Sequence, residues 1–156
     1  KRVSSLAVLV GAFPGAIPPL LGWVAASGEF SSIAIVLFLI QFFWQFPHFW
    51  AIAWILDDDY KKAGYRLLPT VGGRDKASAM QVIIYSAVLI PLGFLPYFMG
   101  LAGIISLLII ALGSLILTLL GVKLYQTLTI KDAKRLMFAS IIYNPLVLIS
   151  LLIDKI

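Results

Sequence analysis

The stretch that decides the fold runs from Gln41 to Pro69 and reads QFFWQFPHFWAIAWILDDDYKKAGYRLLP. Its first half is almost entirely apolar and aromatic, and it holds the only histidine of the chain together with three of its four tryptophans. Its second half opens on three consecutive aspartates, Asp57 to Asp59, where the apolar run ends. An apolar run of this length that stops at a charge cluster is typical of a helix leaving a membrane. We therefore expect the chain to be arranged around one membrane-spanning helix and its charged end.

The composition of the whole chain agrees with a membrane protein. Of its 156 residues, 62% are hydrophobic and 12% are charged, against about 25% charged residues in an ordinary soluble domain. Long continuous apolar runs predict membrane helices, since backbone groups in lipid must be satisfied within the segment, and the alternating pattern of a membrane barrel is absent. The net charge of +5 lies in short blocks between apolar runs, which indicates topology signals and anion contacts and no nucleic acid partner. The chain has no cysteine, which excludes disulfides and thiolate metal sites.

Five apolar segments are long enough to span a membrane. They cover residues 3–26, 33–56, 77–97, 102–124 and 136–153. Eleven of the twelve lysine and arginine residues lie before the first segment, after the second, or at the end of or after the fourth, which are alternate connections. The positive-inside rule then places the N-terminus and the loop 57–76 in the cytoplasm and the C-terminus outside. We expect a multi-pass protein of the cell membrane, or of the mitochondrial inner membrane in a eukaryote.

The second segment carries polar residues inside its apolar run. Gln41, Gln45 and His48 follow the spacing i, i+4, i+7, which puts them on one helical face. Polar groups at membrane depth are costly and usually point into a bundle or a cavity. Together, beside Pro47, they predict a cavity, while each of them singly also fits an interhelical hydrogen bond. The first segment, with its three prolines and three glycines, leaves the same choice open between a helix bent around a cavity and one packed closely on its neighbours.

Several side chains are expected to cap helices. Ser31 or Ser32 precedes the second segment, Asp57 precedes a short helix that stops at Gly64, and Asp75 precedes the third segment.

The charged cluster itself allows two interpretations. Asp58 and Lys62 are spaced as an i, i+4 pair, and the whole cluster fits a solvated turn that fixes topology. Adjacent carboxylates such as Asp58 and Asp59 are also the hard oxygen ligands that Mg²⁺ uses when it is shared with substrate phosphates. Lys61, Lys62 and Arg66 then bind the same phosphates. A charged rim beside an intramembrane cavity suits a substrate with an anionic head and an apolar tail.

Four segments carry a resemblance to a known family. They are WQFPHFWAIAW at 44–54, DDDYKKAGYRLLPTVGG at 57–73, PGAIPPLLGW at 14–23 and AKRLMFASIIY at 133–143. Taken together, they resemble the protohaem IX farnesyltransferase, or haem O synthase, branch of the UbiA superfamily of intramembrane prenyltransferases. The resemblance implies an all-α, nine-helix bundle with a central cavity and two acidic boxes on the cytoplasmic side. Residues 1–156 are similar to the C-terminal part of that single domain, with the five segments as helices five to nine.

The resemblance also places the functional residues. The second acidic box falls at Asp59 and Tyr60, although the superfamily has another aspartate four positions after the first and this chain has Ala63 there. The first box is not in this sequence. The resemblance thus implies that the N-terminal half of the same protein is missing, and that the fragment is inactive alone.

The reaction implied by the resemblance transfers a farnesyl group from farnesyl diphosphate to a vinyl group of haem b, giving haem O and diphosphate. Asp58, Asp59 and Tyr60 are implied at the reacting end, with Mg²⁺ on the two aspartates. Lys61, Lys62 and Arg66 are implied at the diphosphate. Trp44, Gln45, His48 and Trp50 are implied as the wall that binds haem and isoprenoid, with His48 on the haem iron or a propionate, or else as a histidine satisfied within the bundle. Two alternatives are a superfamily member with a phenolic or quinone-precursor acceptor, and a non-enzymatic transporter subunit.

Overall fold

The computed structural model describes the backbone of residues 6–155 and the side chains of residues 8–155. It contains six helices, which are α1 (Leu6–Ser27), α2 (Ser32–Ile55), α3 (Asp57–Lys62), α4 (Lys76–Phe98), α5 (Ile104–Thr127) and α6 (Ile130–Ile153). All but the short α3 are long and apolar enough to cross a membrane. Across residues 6–155 the only β pairing is one isolated bridge between Ala102 and Lys155. The prediction of an all-α, polytopic membrane bundle is confirmed.

Capping side chains explain where several helices begin. Asp75 accepts a hydrogen bond from the Ser78 amide at 2.7 Å, so it caps α4 as predicted. Thr129 accepts from the Asp132 amide, and α6 therefore begins at Ile130, six residues before the predicted apolar segment. The predicted start is late because the first turns of α6 are polar, and hydropathy marks only the apolar part of a helix.

The predicted cap of α2 is only half right. Ser31 occupies the N-cap position, but its side chain makes no capping hydrogen bond. The hydroxyl instead accepts a 2.9 Å hydrogen bond from the indole nitrogen of Trp23 on α1. This contact joins α1 to the start of α2.

Helix α2 is the centre of the bundle, because it packs against α1, α4 and α6. The remaining contacts run in sequence order from α4 to α5 and from α5 to α6. Small residues bring α4 and α5 close together: a Cβ on Gly93 would overlap the side chain of Ile110. Close approach at small residues is the usual way in which membrane helices gain packing energy.

Two contacts show which helix ends lie together. Lys76 at the start of α4 lies over the ring of Tyr125 at the end of α5, 5.5 Å from its centroid. At the opposite end, Asp154 after α6 accepts a 2.7 Å hydrogen bond from the Ser106 amide at the start of α5. The basic blocks after α2 and after α5 are therefore on the same end of the bundle, as a positive-inside arrangement requires. Lys1 and Arg2, which belong to the same predicted pattern, and the first residues of the predicted first segment lie outside the described residues.

Candidate functional site

The three consecutive aspartates at the start of α3 point to three different partners. Asp57 has a side chain only 5% exposed, and its Oδ2 lies 2.6 Å from Lys61 Nζ, within ion-pair distance. Asp58 Oδ2 accepts a 2.9 Å hydrogen bond from Arg74 Nη1. Asp59 is 74% exposed and has only a 3.4 Å contact with a lysine one turn away. Adjacent side chains on a helix diverge in this way because 3.6 residues make a turn.

Two local predictions about this cluster are wrong. Leu56, and not Asp57, occupies the N-cap position of α3, because α2 ends and α3 begins around that single residue and Asp57 is already helical. The predicted Asp58–Lys62 pair is not formed either, since Lys62 contacts Asp59 at i, i+3. The predicted stop is correct: α3 ends at Lys62, and Gly64 takes a φ of 79°, a conformation that favours glycine.

The aspartates do not build a metal site by themselves. Within residues 6–155 no group of three histidine or acidic side chains converges in a way that would hold a metal ion. Asp57 and Asp58 contact cations at 2.6 and 2.9 Å, whereas Asp59 is largely exposed and its contact with Lys62 is longer, at 3.4 Å. A single exposed carboxylate fits one particular kind of site, in which Mg²⁺ is held by one or two carboxylates and by substrate phosphates.

A cavity of about 260 Å³ opens beside α3, and we call it the rim cavity. It is lined by Lys61, Gly64, Tyr65, Arg66 and Val71. Two of the three predicted phosphate-binding cations, Lys61 and Arg66, therefore share one cavity. Lys62 is not part of this lining and its side chain is 79% exposed. Two cations at one concave surface are suited to bind a polyvalent anion.

The loop between α3 and α4 is tied down at several points. The pKa of Asp75 is raised by desolvation, but hydrogen bonds from the Ser78 amide and from the hydroxyls of Thr70 and Ser78 outweigh this effect and hold the pKa below its ordinary value. Leu68 is buried in the hydrophobic core. The loop that carries Arg66 is thus built as a fixed structure.

In the membrane half of the stretch, Gln45 joins α2 to α1. Its side-chain nitrogen donates to the carbonyl oxygens of Ala12 at 3.1 Å and Gln41 at 3.2 Å. The residue is 3% exposed, and it fits only because Gly15 has no side chain, since a Cβ there would overlap the Gln45 amide. Gln45 therefore makes the interhelical hydrogen bond that the sequence left open as its alternative role.

His48 and Trp44 join α2 to α6 through Ser140. Trp44 Nε1 donates to the Ser140 carbonyl oxygen at 2.9 Å, and the indole stacks on the imidazole with ring centroids 5.0 Å apart. His48 Nδ1 lies 2.9 Å from Ser140 Oγ. The hydroxyl itself donates to the Met137 carbonyl oxygen at 2.7 Å. Because a hydroxyl has one proton, its oxygen accepts from His48, which assigns the proton to Nδ1 and leaves the lone pair on Nε2.

Trp50 has a different environment from Trp44. It is 5% exposed and packs edge-on against Tyr85 of α4, with ring centroids 5.0 Å apart. Phe46 packs against both rings. This aromatic cluster fills the contact between α2 and α4, and the predicted contact of Trp50 with a substrate stays a prediction.

The polar residues of α2 lie on the face between α1 and α6. Both helices pack on α2, whereas within the described part of the chain they share no extensive contact with each other. Gln45 is bonded toward α1 and His48 toward α6, so the two residues lie at the two edges of this face, and the predicted cavity stays a prediction. Gln41 Oε1 is buried there without a hydrogen-bond partner among the described residues.

Sequence reasoning missed three residues of this region. In the sequence Arg74 carries only a topology signal, and no pattern marks Tyr65 or Ser140. The partners of Arg74 lie 16 to 20 positions away along the chain and His48 lies 92 positions from Ser140, and no local spacing pattern reports such contacts.

A bundle of membrane-spanning helices with a cationic cavity and an exposed carboxylate at one end defines a multi-pass membrane protein with a charged rim. The UbiA prenyltransferase family matches residues 1–142, and the chain belongs to that family.

Several curated proteins are similar to the whole chain. A protein named protoheme IX farnesyltransferase from Cytophaga hutchinsonii is 50% identical over 156 residues, which are 100% of this chain and 54% of that protein. Proteins of the same name from Flavobacterium psychrophilum and Gloeobacter violaceus are 50% and 41% identical, over 99% and 100% of this chain and 53% and 51% of theirs. The chain thus spans about half the length of the curated relatives it matches. No solved structure matches it.

Proposed function

We propose that the protein transfers a farnesyl group from farnesyl diphosphate to a vinyl group of haem b, and that water adds to the resulting cation with loss of a proton, giving haem O and diphosphate. The observation that carries the proposal is the rim cavity, where Lys61 and Arg66 come together at the membrane end of α2, with the exposed Asp59 on the same short helix as Lys61. The names of the relatives, each about half covered by this chain, support farnesyl transfer to protohaem.

The rim supplies the electrostatics that this reaction needs. Lys61 and Arg66 bind the diphosphate, and Lys62 adds a third cation from the exposed side of α3. Their charges stabilise the negative charge that grows on the diphosphate as the allylic C–O bond ionises. Asp59 would give one carboxylate to Mg²⁺, which when bound neutralises part of the same charge. Tyr60, the next residue along α3, is proposed at the reacting end beside Asp59.

The α2 face between α1 and α6 is proposed to line a crevice that binds the acceptor and the isoprenoid. His48 offers its Nε2 lone pair to the haem iron, because its Nδ1 proton is engaged by Ser140. Trp44, stacked on this imidazole, presents an aromatic face to the farnesyl cation, an interaction that contributes about 0.5 to 2 kcal/mol when desolvated. Gln45 holds the α1 side of the crevice, and Trp50 supports it from the α4 side.

The arrangement in the membrane follows from the same proposal. The rim cavity and the loop 57–76 face the cytoplasm, and the C-terminus is outside, in the cell membrane or the mitochondrial inner membrane. The helices α1, α2, α4, α5 and α6 correspond to helices five to nine of a nine-helix bundle. Further ligands of Mg²⁺ and diphosphate would come from the other four helices of that bundle, so the activity is proposed for the nine-helix protein and not for residues 1–156 alone.

The proposal is tested with membranes that contain the full nine-helix protein, radiolabelled farnesyl diphosphate and either haem b or a phenolic acceptor. Label is expected in haem O. Label in the phenol instead would assign the acceptor class to the alternative, and no transfer to either acceptor would favour a non-enzymatic membrane protein.

The role of Asp59 is tested in the same assay. Asp59→Ala is expected to lower haem O formation at least about tenfold, because removal of a charged group that meets Mg²⁺ or diphosphate costs at least about 1.5 kcal/mol. Glu29→Ala is the matched control, since Glu29 is an exposed carboxylate between α1 and α2, at the other end of the bundle. Unchanged turnover in Asp59→Ala would remove Asp59 from the site.

A further inference from the structure

Arg74 connects the end of α2 with the first turn of α3. Its Nε donates to the carbonyl oxygen of Trp54 at 2.7 Å and its Nη2 to that of Ile55 at 3.2 Å. Its Nη1 donates to Asp58 Oδ2 at 2.9 Å. The side chain is 21% exposed, whereas that of Asp58 is 67% exposed. One guanidinium therefore uses three of its donors to hold two helices together.

These contacts fall where the chain has few other means of fixing α3. Only Leu56 separates α2 from α3, so the angle between the two helices depends on side chains that bond to both of them. The last carbonyl groups of a helix lack partners within the helix and carry partial negative charge, which a cation at the C-terminus satisfies. The planar guanidinium can serve both helices at once, because its donors are held in a rigid fork.

The residue before Arg74 strengthens the connection. Gly73 is buried with a φ of 79°, and a Cβ there would lie 2.9 Å from Lys61 Nζ and 3.2 Å from Asp57 Oδ2. The loop thus passes directly over the Asp57–Lys61 ion pair and then inserts Arg74. Lys61 in turn lines the rim cavity. Loss of the contacts of Arg74 would therefore change the positions of Lys61 and Asp59 together.

We propose that Arg74 is a positioning residue, which holds α3 through Asp58 and the end of α2 so that the rim cavity is formed before diphosphate binds. Asp58 is the anchor of Arg74 and is not itself a ligand of Mg²⁺ or diphosphate. The inference rests on the proposed function, because it assumes that the rim cavity binds the diphosphate of the substrate. Its physical basis is that groups held in place before binding lose less conformational entropy on binding.

The test is a double-mutant cycle of Arg74→Gln and Asp58→Asn in the intact protein in membranes, with inorganic diphosphate as competitive inhibitor. Arg74→Gln is expected to raise the inhibition constant of diphosphate and the KM for farnesyl diphosphate about tenfold, while kcat changes by less than about threefold. Asp58→Asn loses one exposed contact and is expected to raise both constants about threefold. The double variant should equal Arg74→Gln, because both changes remove the same contact. Arg74→Lys keeps the charge but loses the forked set of donors, so both constants should lie between those of the wild type and those of Arg74→Gln.

The opposite results are equally specific. If Asp58 is a ligand of the anion or its cation, Asp58→Asn would raise both constants about a hundredfold, as expected for loss of a charged partner. In the double variant, the factors of Asp58→Asn and Arg74→Gln would then multiply. Wild-type constants in Arg74→Gln would also overturn the inference. Arg135→Gln is the matched control, since Arg135 donates a 2.7 Å hydrogen bond to Asp132 on α6 and does not line the rim cavity; its constants should not change. If inorganic diphosphate does not inhibit the wild type, the proposed function fails together with the inference.

Discussion

Ser140 provides the sharpest test of the histidine assignment. Ser140→Ala removes the oxygen that lies 2.9 Å from His48 Nδ1, while the carbonyl oxygen that accepts from Trp44 stays in place. The imidazole then keeps its stacking partner but loses the group that holds its proton on Nδ1. We expect Nε2 to become a weaker and less well oriented ligand for haem iron.

The size of the effect follows from the contact that is lost. Hydrogen bonds between membrane helices are worth about 0.6 kcal/mol on average and up to about 1.7 kcal/mol. Loss of the partner that orients a metal-bound histidine typically lowers metal affinity about 10- to 100-fold. Because the partner here is a neutral hydroxyl, we expect the lower end, about tenfold weaker haem binding, together with only a small loss of thermal stability.

The assay is a titration of the purified protein with haem b, followed by the absorption spectrum of the bound haem. His48→Ala should lose the spectral signature of the histidine-bound iron altogether. Ser150→Ala is the matched control, because Ser150 is also a buried serine of α6 and its hydroxyl donates to Val147 at 2.8 Å, but no histidine contacts it. Wild-type affinity and an identical spectrum in both Ser140→Ala and His48→Ala would refute the assignment and leave His48 as an interhelical hydrogen-bond donor.

Two further predictions concern stability. Gly15→Ala should destabilise the protein by about 1 to 3 kcal/mol, because the new methyl group overlaps the buried Gln45 amide, whereas Gly11→Ala, with nothing within 4 Å, should not; equal melting temperatures of the two variants in detergent would contradict the contact. Asp75→Ala should cost about 0.5 to 2 kcal/mol as the loss of an N-cap. Since the pKa of Asp75 is lowered in the folded state, this contribution is present above the unfolded pKa of about 3.9 and is lost as the pH falls through the folded value. The wild type and Asp75→Ala should therefore differ in stability at pH 7 and converge below about pH 4, and a gap that does not narrow would argue against an ionised cap.

Much of the fold can be predicted from local features of the chain. Each membrane helix satisfies its own backbone groups, so its position follows from the length of an apolar run. Residues that start or end a helix through its own backbone were also predicted correctly, namely Asp75, which caps α4, and Gly64, which has a positive φ after α3. The same logic failed at the start of α6, because a polar first turn is invisible to hydropathy.

The candidate site was predicted in its composition but not in its pairings. The stretch 41–69 does contain the rim cations and the histidine, and Lys61 and Arg66 do share a cavity. The partner of Asp58, however, is Arg74 sixteen residues away and not Lys62 one turn away. An i, i+4 pair on a surface is worth only about 0.2 to 0.5 kcal/mol, so a partly buried arginine that also satisfies two carbonyl groups outcompetes it.

By itself the sequence determined that this chain is a set of membrane helices with a charged rim after the second one, because hydropathy and the end of an apolar run are properties of contiguous residues. Only the tertiary structure decided that Gln45 is bonded to α1, that His48 is bonded to α6, and that the three aspartates contact three different side chains. The reason is physical: apolar side chains gain little from exchanging lipid for one another, so helix partners are selected by close packing and by single interhelical hydrogen bonds. Those contacts depend on which helices meet and at what height, and no stretch of the chain contains that information alone.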